Sequence, residues 1–165
     1  MGEISKFCES LDITNPLIVT DSNSKELPFI EELKRFLIES NIESDLFFEI
    51  SPNPRDDEIA TGCSKFQSGN HDAVIAIGGG SAMDGGKAIC LTANNDIPLW
   101  DFEWEQPPPI ISKNNPFPKL ICIPTTAGTG AETDSTAMIT DLEKGMKLCI
   151  CHPDLKPSLA LLDPE

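Results

Sequence analysis

The chain has 165 residues, enough for one globular domain, and its 39% hydrophobic content excludes a largely disordered protein. It carries 12 basic and 27 acidic residues, and the net charge of −15 disfavours nucleic acid and anionic membranes as partners. No apolar run approaches the ~20 residues that span a membrane. The first ten residues lack the basic start and apolar core of a secretory signal. We therefore expect a cytoplasmic protein.

Six cysteines are present without a C-x-x-C pair, and several lie inside apolar segments such as LICIP. Reduced, mostly buried thiols in a cytoplasmic protein account for them best. Cys149 and Cys151 are predicted on one face of a strand close to His152, which leaves a metal site as the weaker alternative.

The first half of the chain alternates between strands and helices. A buried strand is predicted over Leu17–Thr20, and apolar spacing predicts a helix over Lys25–Ser40. DLFFEI and DAVIAI are predicted strands separated by a short helix, and a further helix is predicted over about Ala82–Thr92. Such alternation, with nearly continuous apolar strands, predicts a parallel sheet covered by helices on both faces. Ligands of such sheets bind at the carboxyl ends of the strands.

The second half begins with a loop rich in proline and asparagine over residues 94–118, which is either a lid or a plain connector. Trp100 and Trp104 lie in this loop, and packing onto the domain surface is favoured for both over contact with a ligand. KLICIP is a fourth strand, STAMIT and MKLCIC form a hairpin around DLEKG, and PSLALLDPE contains a last strand. The predicted fold class is α/β, with a Rossmann-like parallel sheet plus a β-hairpin, in one domain over residues 1–165.

Three glycines follow the third predicted strand in VIAIGGGSAMDGGKAI. A strand that leads into a glycine turn and opens a helix offers unshielded N–H groups at the positive end of the helix dipole. Gly78, Gly79, Gly80 and Ser81 are therefore suited to a phosphate. The segment matches neither G-x-G-x-x-G nor the Walker A pattern, which argues against an ATPase and a standard dinucleotide fold. A tight turn without a ligand stays the alternative.

A second loop, IPTTAGTGAE, also follows a predicted strand and offers three threonine hydroxyls and two glycines. Two such loops on neighbouring strand ends can hold a diphosphate from both sides. Asp21 ends the first strand, where its carboxylate can accept hydrogen bonds from a ribose and would repel an added 2′-phosphate. Together these features favour a nucleotide that contains a diphosphate.

These segments resemble the iron-containing (group III) alcohol dehydrogenases. GGGSAMDGGKAI resembles the family's G-G-G-S-x-x-D-x-x-K segment and IPTTAGTGAE its second signature loop, while IVTD, PNP and MKLCICHPDLKPSLALLDPE match in order. The resemblance covers about residues 10–165, and glycerol dehydrogenase and dehydroquinate synthase share the wider fold. It implies a two-domain enzyme: an α/β domain that holds NAD(P), and an all-helical domain that binds the metal through one aspartate and three histidines.

The resemblance also implies roles for single residues. Asp21 would contact the adenine-side ribose and favour NAD over NADP, and Asn53 would line the adenine side of the cleft. Asp84 would lie near the nicotinamide, and Lys147 would reach the nicotinamide ribose. Met138 would either touch the cofactor or be a plain core methionine. The other implied cofactor contacts are Gly79, Gly80 and Ser81 at the pyrophosphate, and Thr125, Thr126 and Thr129 from the second loop.

Two features of the predicted glycine helix stay open. Lys87 would neutralise Asp84, approach the cofactor phosphates or be an ordinary solvated lysine. Gly85 and Gly86 depart from the family pattern, since glycine inside a helix costs up to ~1 kcal/mol relative to alanine. Close packing of the helix would justify them.

The sequence given ends at LLDPE, before the segment where the family places its metal-binding aspartate and first histidine. His71 and His152 match no metal position and are predicted to be ordinary polar residues. We therefore predict that the all-helical domain is absent, that iron does not bind, and that the chain alone is inactive. An apolar face around Ile139, Leu161 and Leu162 would favour self-association or a separate helical metal-binding domain as partner.

The predicted function is the NAD-binding portion of an iron-type alcohol dehydrogenase, an oxidoreductase that transfers hydride between an alcohol and NAD. Two alternatives stay open: a non-catalytic NAD-binding module, and a truncated remnant that binds no cofactor. The sequence does not separate the first alternative from the enzyme, because both need the same loops.

Overall fold

Seven strands build one parallel sheet and one hairpin in the computed structural model, which describes residues 1–164. They are β1 Pro16–Asp21, β2 Asp45–Ile50, β3 Ala73–Gly78, β4 Lys119–Pro124, β5 Thr136–Asp141, β6 Met146–Cys151 and β7 Leu159–Ala160. The sheet has the order β2-β1-β3-β4-β7, and every neighbouring pair in it is parallel. β5 and β6 form a separate antiparallel hairpin. The predicted fold class is confirmed.

Within residues 1–164, four α-helices and two short 3₁₀ helices precede or connect these strands. They are α1 Ile4–Ser10, α2 Pro28–Glu39, α3 Asp56–Ser68, α4 Gly80–Thr92, and the 3₁₀ helices Leu99–Phe102 and Pro153–Leu155. α2 begins three residues later than the sequence predicts, because Pro28 opens its first turn and Leu27 before it is extended. α1 was not predicted, since only two of its seven residues are buried.

Alternate residues of the sheet belong to two cores. On β3, Val74 and Ala76 pack with α3, α4 and the hairpin, whereas Ile75 and Ile77 pack with α1 and α2. A strand buried on both faces reads as a continuous apolar run, which explains why the sequence reveals β1, β3 and β4 so clearly. In the part of the chain that is described, no helix has the length and apolar character needed to cross a membrane.

The glycines inside α4 are explained by close packing. A β-carbon added at Gly85 would lie 2.6 Å from Cδ1 of Ile50, and one at Gly86 would lie 2.6 Å from Cβ of Ala76. Both distances are far below contact distance, so α4 can lie this near the sheet only with glycine at these positions.

We expect Gly86→Ala to lower the free energy of unfolding by about 2 kcal/mol, since overpacking a rigid strand outweighs the gain in helix propensity. Urea unfolding followed by circular dichroism measures this. Gly2→Ala is the control, because its added β-carbon would meet only Phe36, at an ordinary 3.7 Å. A Gly86→Ala protein as stable as the parent would contradict the packing explanation.

The long loop and the hairpin correct two predictions. Trp100 packs against the core next to Phe102, as predicted, but Trp104 is 65% exposed and does not pack down. Ile139 is fully buried and therefore is not part of an exposed apolar face, whereas Leu162 is 69% exposed. The hairpin turns Ala137 and Ile139 toward the core.

Candidate functional site

The first glycine loop joins β3 to α4 at the carboxyl edge of the sheet. Gly78 has φ +141°, a conformation that favours glycine, and a β-carbon there would lie 2.9 Å from Cβ of Ala82. Gly79 is the extended residue before α4, and the helix begins at Gly80, two residues earlier than predicted. The Ala82 amide donates to the Gly79 carbonyl at 3.0 Å, so the amides of Gly80 and Ser81 are the groups of the first turn that suit an anion at the positive end of the helix dipole.

The second loop lies directly against the first. The Thr125 amide donates to the Gly78 carbonyl at 2.9 Å, which continues the pairing of β3 with β4. A β-carbon added at Gly79 would lie 3.5 Å from Oγ1 of Thr126, and one at Gly80 would lie 3.3 Å from Cγ2 of Thr129. All three threonines are exposed. The structure therefore brings the two predicted loops together at one place on the carboxyl edge of the sheet, which we call the cleft.

Asp21 lies at the end of β1, beside the glycine turn. Its Oδ2 is 3.4 Å from a β-carbon added at Gly78. The carboxylate accepts hydrogen bonds from the Asn23 amide at 3.0 Å, and from the Ser24 amide at 3.1 Å and hydroxyl at 2.7 Å. This turn fixes its orientation, and the half-buried carboxylate keeps acceptor capacity on Oδ2 for a further donor.

Asn53 lies in the turn over residues 51–55, between β2 and α3. Its Oδ1 is 3.4 Å from Nζ of Lys147 on the hairpin, so the side chains of these two predicted cofactor residues are in contact. The Ser81 hydroxyl donates to the Pro52 carbonyl at 2.6 Å, which leaves the Ser81 amide as its group for an anion. The turn thus links β2, α4 and the hairpin.

Asp84 lies one turn into α4 and is largely covered by the hairpin. Burial raises the pKa of Asp84 to about 6, and the Met138 backbone, Lys87 and Lys147 oppose that rise. Met138 itself is 37% exposed, so it is not a core methionine.

Lys87 is fully buried, which excludes the prediction of a solvated helix lysine. Its ammonium donates to Oδ1 of Asp134 at 2.5 Å and to the Thr136 carbonyl at 2.9 Å. The same Oδ1 accepts the Thr136 amide at 3.1 Å. Lys87 therefore fastens α4 to the end of the second loop. Asp134 was not predicted as a site residue, and its only signal in the sequence is its place two residues before β5.

Both histidines are buried, and each has a ring nitrogen within hydrogen-bond distance of a backbone carbonyl. Nδ1 of His71 lies 3.0 Å from the Asn15 carbonyl, and Nε2 of His152 lies 3.0 Å from the Pro109 carbonyl. Within residues 1–164, no group of three or more histidine, cysteine, aspartate or glutamate side chains is arranged to hold a metal ion.

One surface depression lies away from the two loops. It lies near Asn15, Asp45 and His71, where the strands begin, and includes none of the predicted cofactor residues. Parallel sheets bind ligands at the opposite edge, so the cleft formed by the two loops is the better candidate.

The fold and the paired loops define an α/β protein of the Rossmann-like class. The chain belongs to the iron-containing alcohol dehydrogenase family, whose sequence profile matches residues 1–164. The family predicted from the sequence motifs is thereby confirmed. That residues 1–165 form a single domain stays a prediction.

Several relatives are more than 30% identical to the chain, and two dehydrogenases from Bacillus are among them. An NAD-dependent methanol dehydrogenase of Bacillus methanolicus is 32% identical over 163 residues, which are 99% of this chain and 42% of that protein. A choline dehydrogenase of Bacillus subtilis is 35% identical over 160 residues, which are 94% of this chain and 38% of that protein. The chain thus spans about two-fifths of the length of these two relatives.

Solved structures agree with this relationship. A 1,3-propanediol oxidoreductase superposes with a TM-score of 0.90 at 28% identity, over 99% of this chain and 41% of that one. A sulfoacetaldehyde reductase from Bifidobacterium kashiwanohense, solved in complex with NAD⁺, gives a TM-score of 0.83 at 28% identity. That match covers 99% of this chain and 42% of the reductase.

Proposed function

We propose that this chain is the NAD-binding portion of an iron-type alcohol dehydrogenase. The observation that carries the proposal is the contact between the two strand-end loops, where Gly79 and Gly80 approach Thr126 and Thr129. The family membership and the related reductase in complex with NAD⁺ support it.

The proposed binding mode follows the geometry of the cleft. The amides of Gly79, Gly80 and Ser81 hold the pyrophosphate at the start of α4, opposite the hydroxyls of the second loop: Thr125, Thr126 and Thr129. Asp21 accepts hydrogen bonds from the adenine-side ribose. Its charge would repel a 2′-phosphate, so NAD is preferred and NADP is the weaker ligand.

The contact between Asn53 and Lys147 supports one revision of the roles implied by the resemblance. An extended dinucleotide does not place its adenine and its nicotinamide ribose within one hydrogen bond of each other. We therefore assign Asn53 to the same ribose as Lys147 rather than to the adenine side. Asp84 and the exposed Met138 border this nicotinamide end of the cleft.

In the whole enzyme, the bound nicotinamide exchanges a hydride with the alcohol carbon. This chain's contribution is to bind and orient the cofactor, and we propose that residues 1–165 by themselves turn over no alcohol and bind no iron. A helical metal-binding domain or a second copy of the chain is the proposed partner, and nucleic acid and membranes are not. A cytoplasmic location is supported by the six free cysteines.

Calorimetric titration of the purified chain with NAD and NADP tests the proposal, and the Asp21→Gly variant tests the role of the Asp21 carboxylate. We expect the parent chain to bind NAD more tightly than NADP. In Asp21→Gly, NAD binding weakens about tenfold or more because the hydrogen bonds from the ribose lose a charged acceptor. NADP binding becomes stronger in the same variant, because the repulsion of its 2′-phosphate is removed.

Glu26→Gln is the matched control, since it removes an exposed carboxylate close to the same turn. It should leave both affinities unchanged within about twofold if simple net charge is not the cause. A parent chain that binds neither cofactor would disprove NAD binding by residues 1–165 alone. Equal effects of both substitutions would disprove the specific role of Asp21.

A further inference from the structure

A buried carboxylate, Glu58, lies beneath the turn that carries Asn53. It belongs to the first turn of α3 and is only 8% exposed. Its Oε2 accepts the Ser51 amide at 3.2 Å, the Ser51 hydroxyl at 3.1 Å and the Arg55 amide at 3.0 Å. Its Oε1 lies 3.5 Å from the Arg55 guanidinium. One side chain therefore binds both ends of the turn over residues 51–55.

The same turn contacts three other elements at the cofactor cleft through its middle residues. The Pro52 carbonyl accepts the Ser81 hydroxyl at 2.6 Å. The Pro54 carbonyl accepts the Thr140 amide at 2.7 Å, and the Asn53 side chain accepts from Lys147 on the hairpin. Displacement of this turn would therefore move groups on the glycine helix and on the hairpin together.

The negative charge of Glu58 matches this arrangement. The carboxylate faces only donors, and it lies at the N-terminal end of α3, where the helix dipole favours an anion. In a glutamine of the same shape, the amide oxygen can take the place of Oε2, but the three donors there lose a charged acceptor, and the NH₂ group faces the Arg55 guanidinium. Hydrogen bonds to a charged acceptor are about twice as strong as neutral ones, so we expect the turn to be held less firmly.

We propose that Glu58 is a positioning residue for the cofactor cleft: it holds the turn over residues 51–55, and through that turn it sets the places of Asn53, Ser81 and Lys147. Glu58 does not itself reach the cleft. The proposal rests on the proposed function for its effect on NAD, but the displacement of the turn can be measured without a ligand.

Hydrogen exchange of the free chain gives the first test. Glu58→Gln is expected to raise the exchange rate of the Thr140 amide about tenfold. This amide donates to the Pro54 carbonyl, so it loses protection when the turn over residues 51–55 is displaced. Asp57→Asn is the matched control. Asp57 is the adjacent residue on the same helix and also pairs with Arg55, at 2.9 Å, but it contacts neither Ser51 nor residues 52–54.

Titration of the same proteins with NAD gives the second test. Glu58→Gln is expected to weaken NAD binding about tenfold, whereas Asp57→Asn changes it less than twofold. Unchanged exchange at Thr140 overturns the proposal whether or not NAD binds. Faster exchange with an unchanged NAD affinity also overturns it.

A third outcome separates this proposal from the proposed function. Faster exchange at Thr140 in Glu58→Gln, with no NAD binding by the parent chain, would support the statement that Glu58 holds the turn over residues 51–55. It would disprove cofactor binding by this chain, and with it the effect of Glu58 on a cofactor. Ser51→Ala provides a second variant, and it should shift both measurements in the same direction by removing the hydroxyl between Glu58 and the Asn53 carbonyl.

Discussion

Asp134→Ala is expected to lower the free energy of unfolding by about 3 kcal/mol, more than Lys87→Met, which should cost about 1 kcal/mol. The asymmetry follows from burial, because the Lys87 side chain is fully buried and that of Asp134 is 46% exposed. Without Asp134, an ammonium is left in the interior with only the Thr136 carbonyl as acceptor. Without Lys87, water can solvate the remaining carboxylate.

The double variant Lys87→Met, Asp134→Ala makes this prediction sharper. It should be about as stable as Lys87→Met alone, because no buried charge is left for Asp134 to compensate. Urea unfolding of the three proteins measures the coupling. Equal costs for the two single substitutions, added together in the double variant, would show that the pair behaves like an exposed salt bridge.

Much of the fold could be predicted from the sequence because the sheet is buried on both faces. Strands such as KLICIP have few alternatives when their residues are apolar without interruption, and the glycines mark the turns that follow them. The motifs also predicted correctly that the two loops meet. That adjacency depends on strand order, since β3 and β4 pair directly although about forty residues separate them.

The errors arose where burial depends on tertiary contacts. The residues around Lys87 in the helix are compatible with either a buried or an exposed lysine. Its ion-pair partner, Asp134, is 47 residues away in the sequence. Ile139 faces inward because the hairpin lies on α4, which fixes which alternate residues are covered. A single strand read alone shows the alternation but not which of its two faces is buried.

The positioning role proposed for Glu58 had no clear signal in the sequence. An acidic residue in the first turn of a helix is common and is usually solvated. Its three hydrogen bonds to backbone and hydroxyl donors of the preceding turn become visible only when the path of residues 51–55 is known. The motif PNP indicated a turn at this place, but not what holds the turn.

The contribution of Asp84 to the free energy of unfolding should fall as the pH rises through the range in which this carboxyl group ionises. Burial raises the pKa of Asp84 to about 6, above its ordinary value of 3.8. The folded chain therefore holds this proton more tightly than the unfolded chain does. The resulting stabilisation is complete below pH ~4 and is lost as the pH rises through ~6, with an upper limit of about 3 kcal/mol.

Comparison with Asp84→Asn isolates this contribution, since asparagine stays neutral at every pH. The difference in unfolding free energy should move in favour of the variant between pH 4 and pH 7. Other carboxylates act in the opposite direction: Arg55 lowers the pKa of Asp57, and the Lys144 amide lowers the pKa of Asp141. Both are present in the two proteins, so their contributions cancel in the difference.

Urea unfolding at several pH values between 4 and 8 supplies the measurement, and Asp101→Asn is the control because it removes an exposed carboxylate outside the cleft. A difference between the parent chain and Asp84→Asn that does not change with pH would show that Asp84 has the same pKa in the folded and the unfolded chain. In that case the Met138 backbone, together with Lys87 and Lys147, offsets the burial of Asp84 and the opposing charge of Asp134. Asp84 would then be ionised at neutral pH and would place a negative charge beside the hairpin.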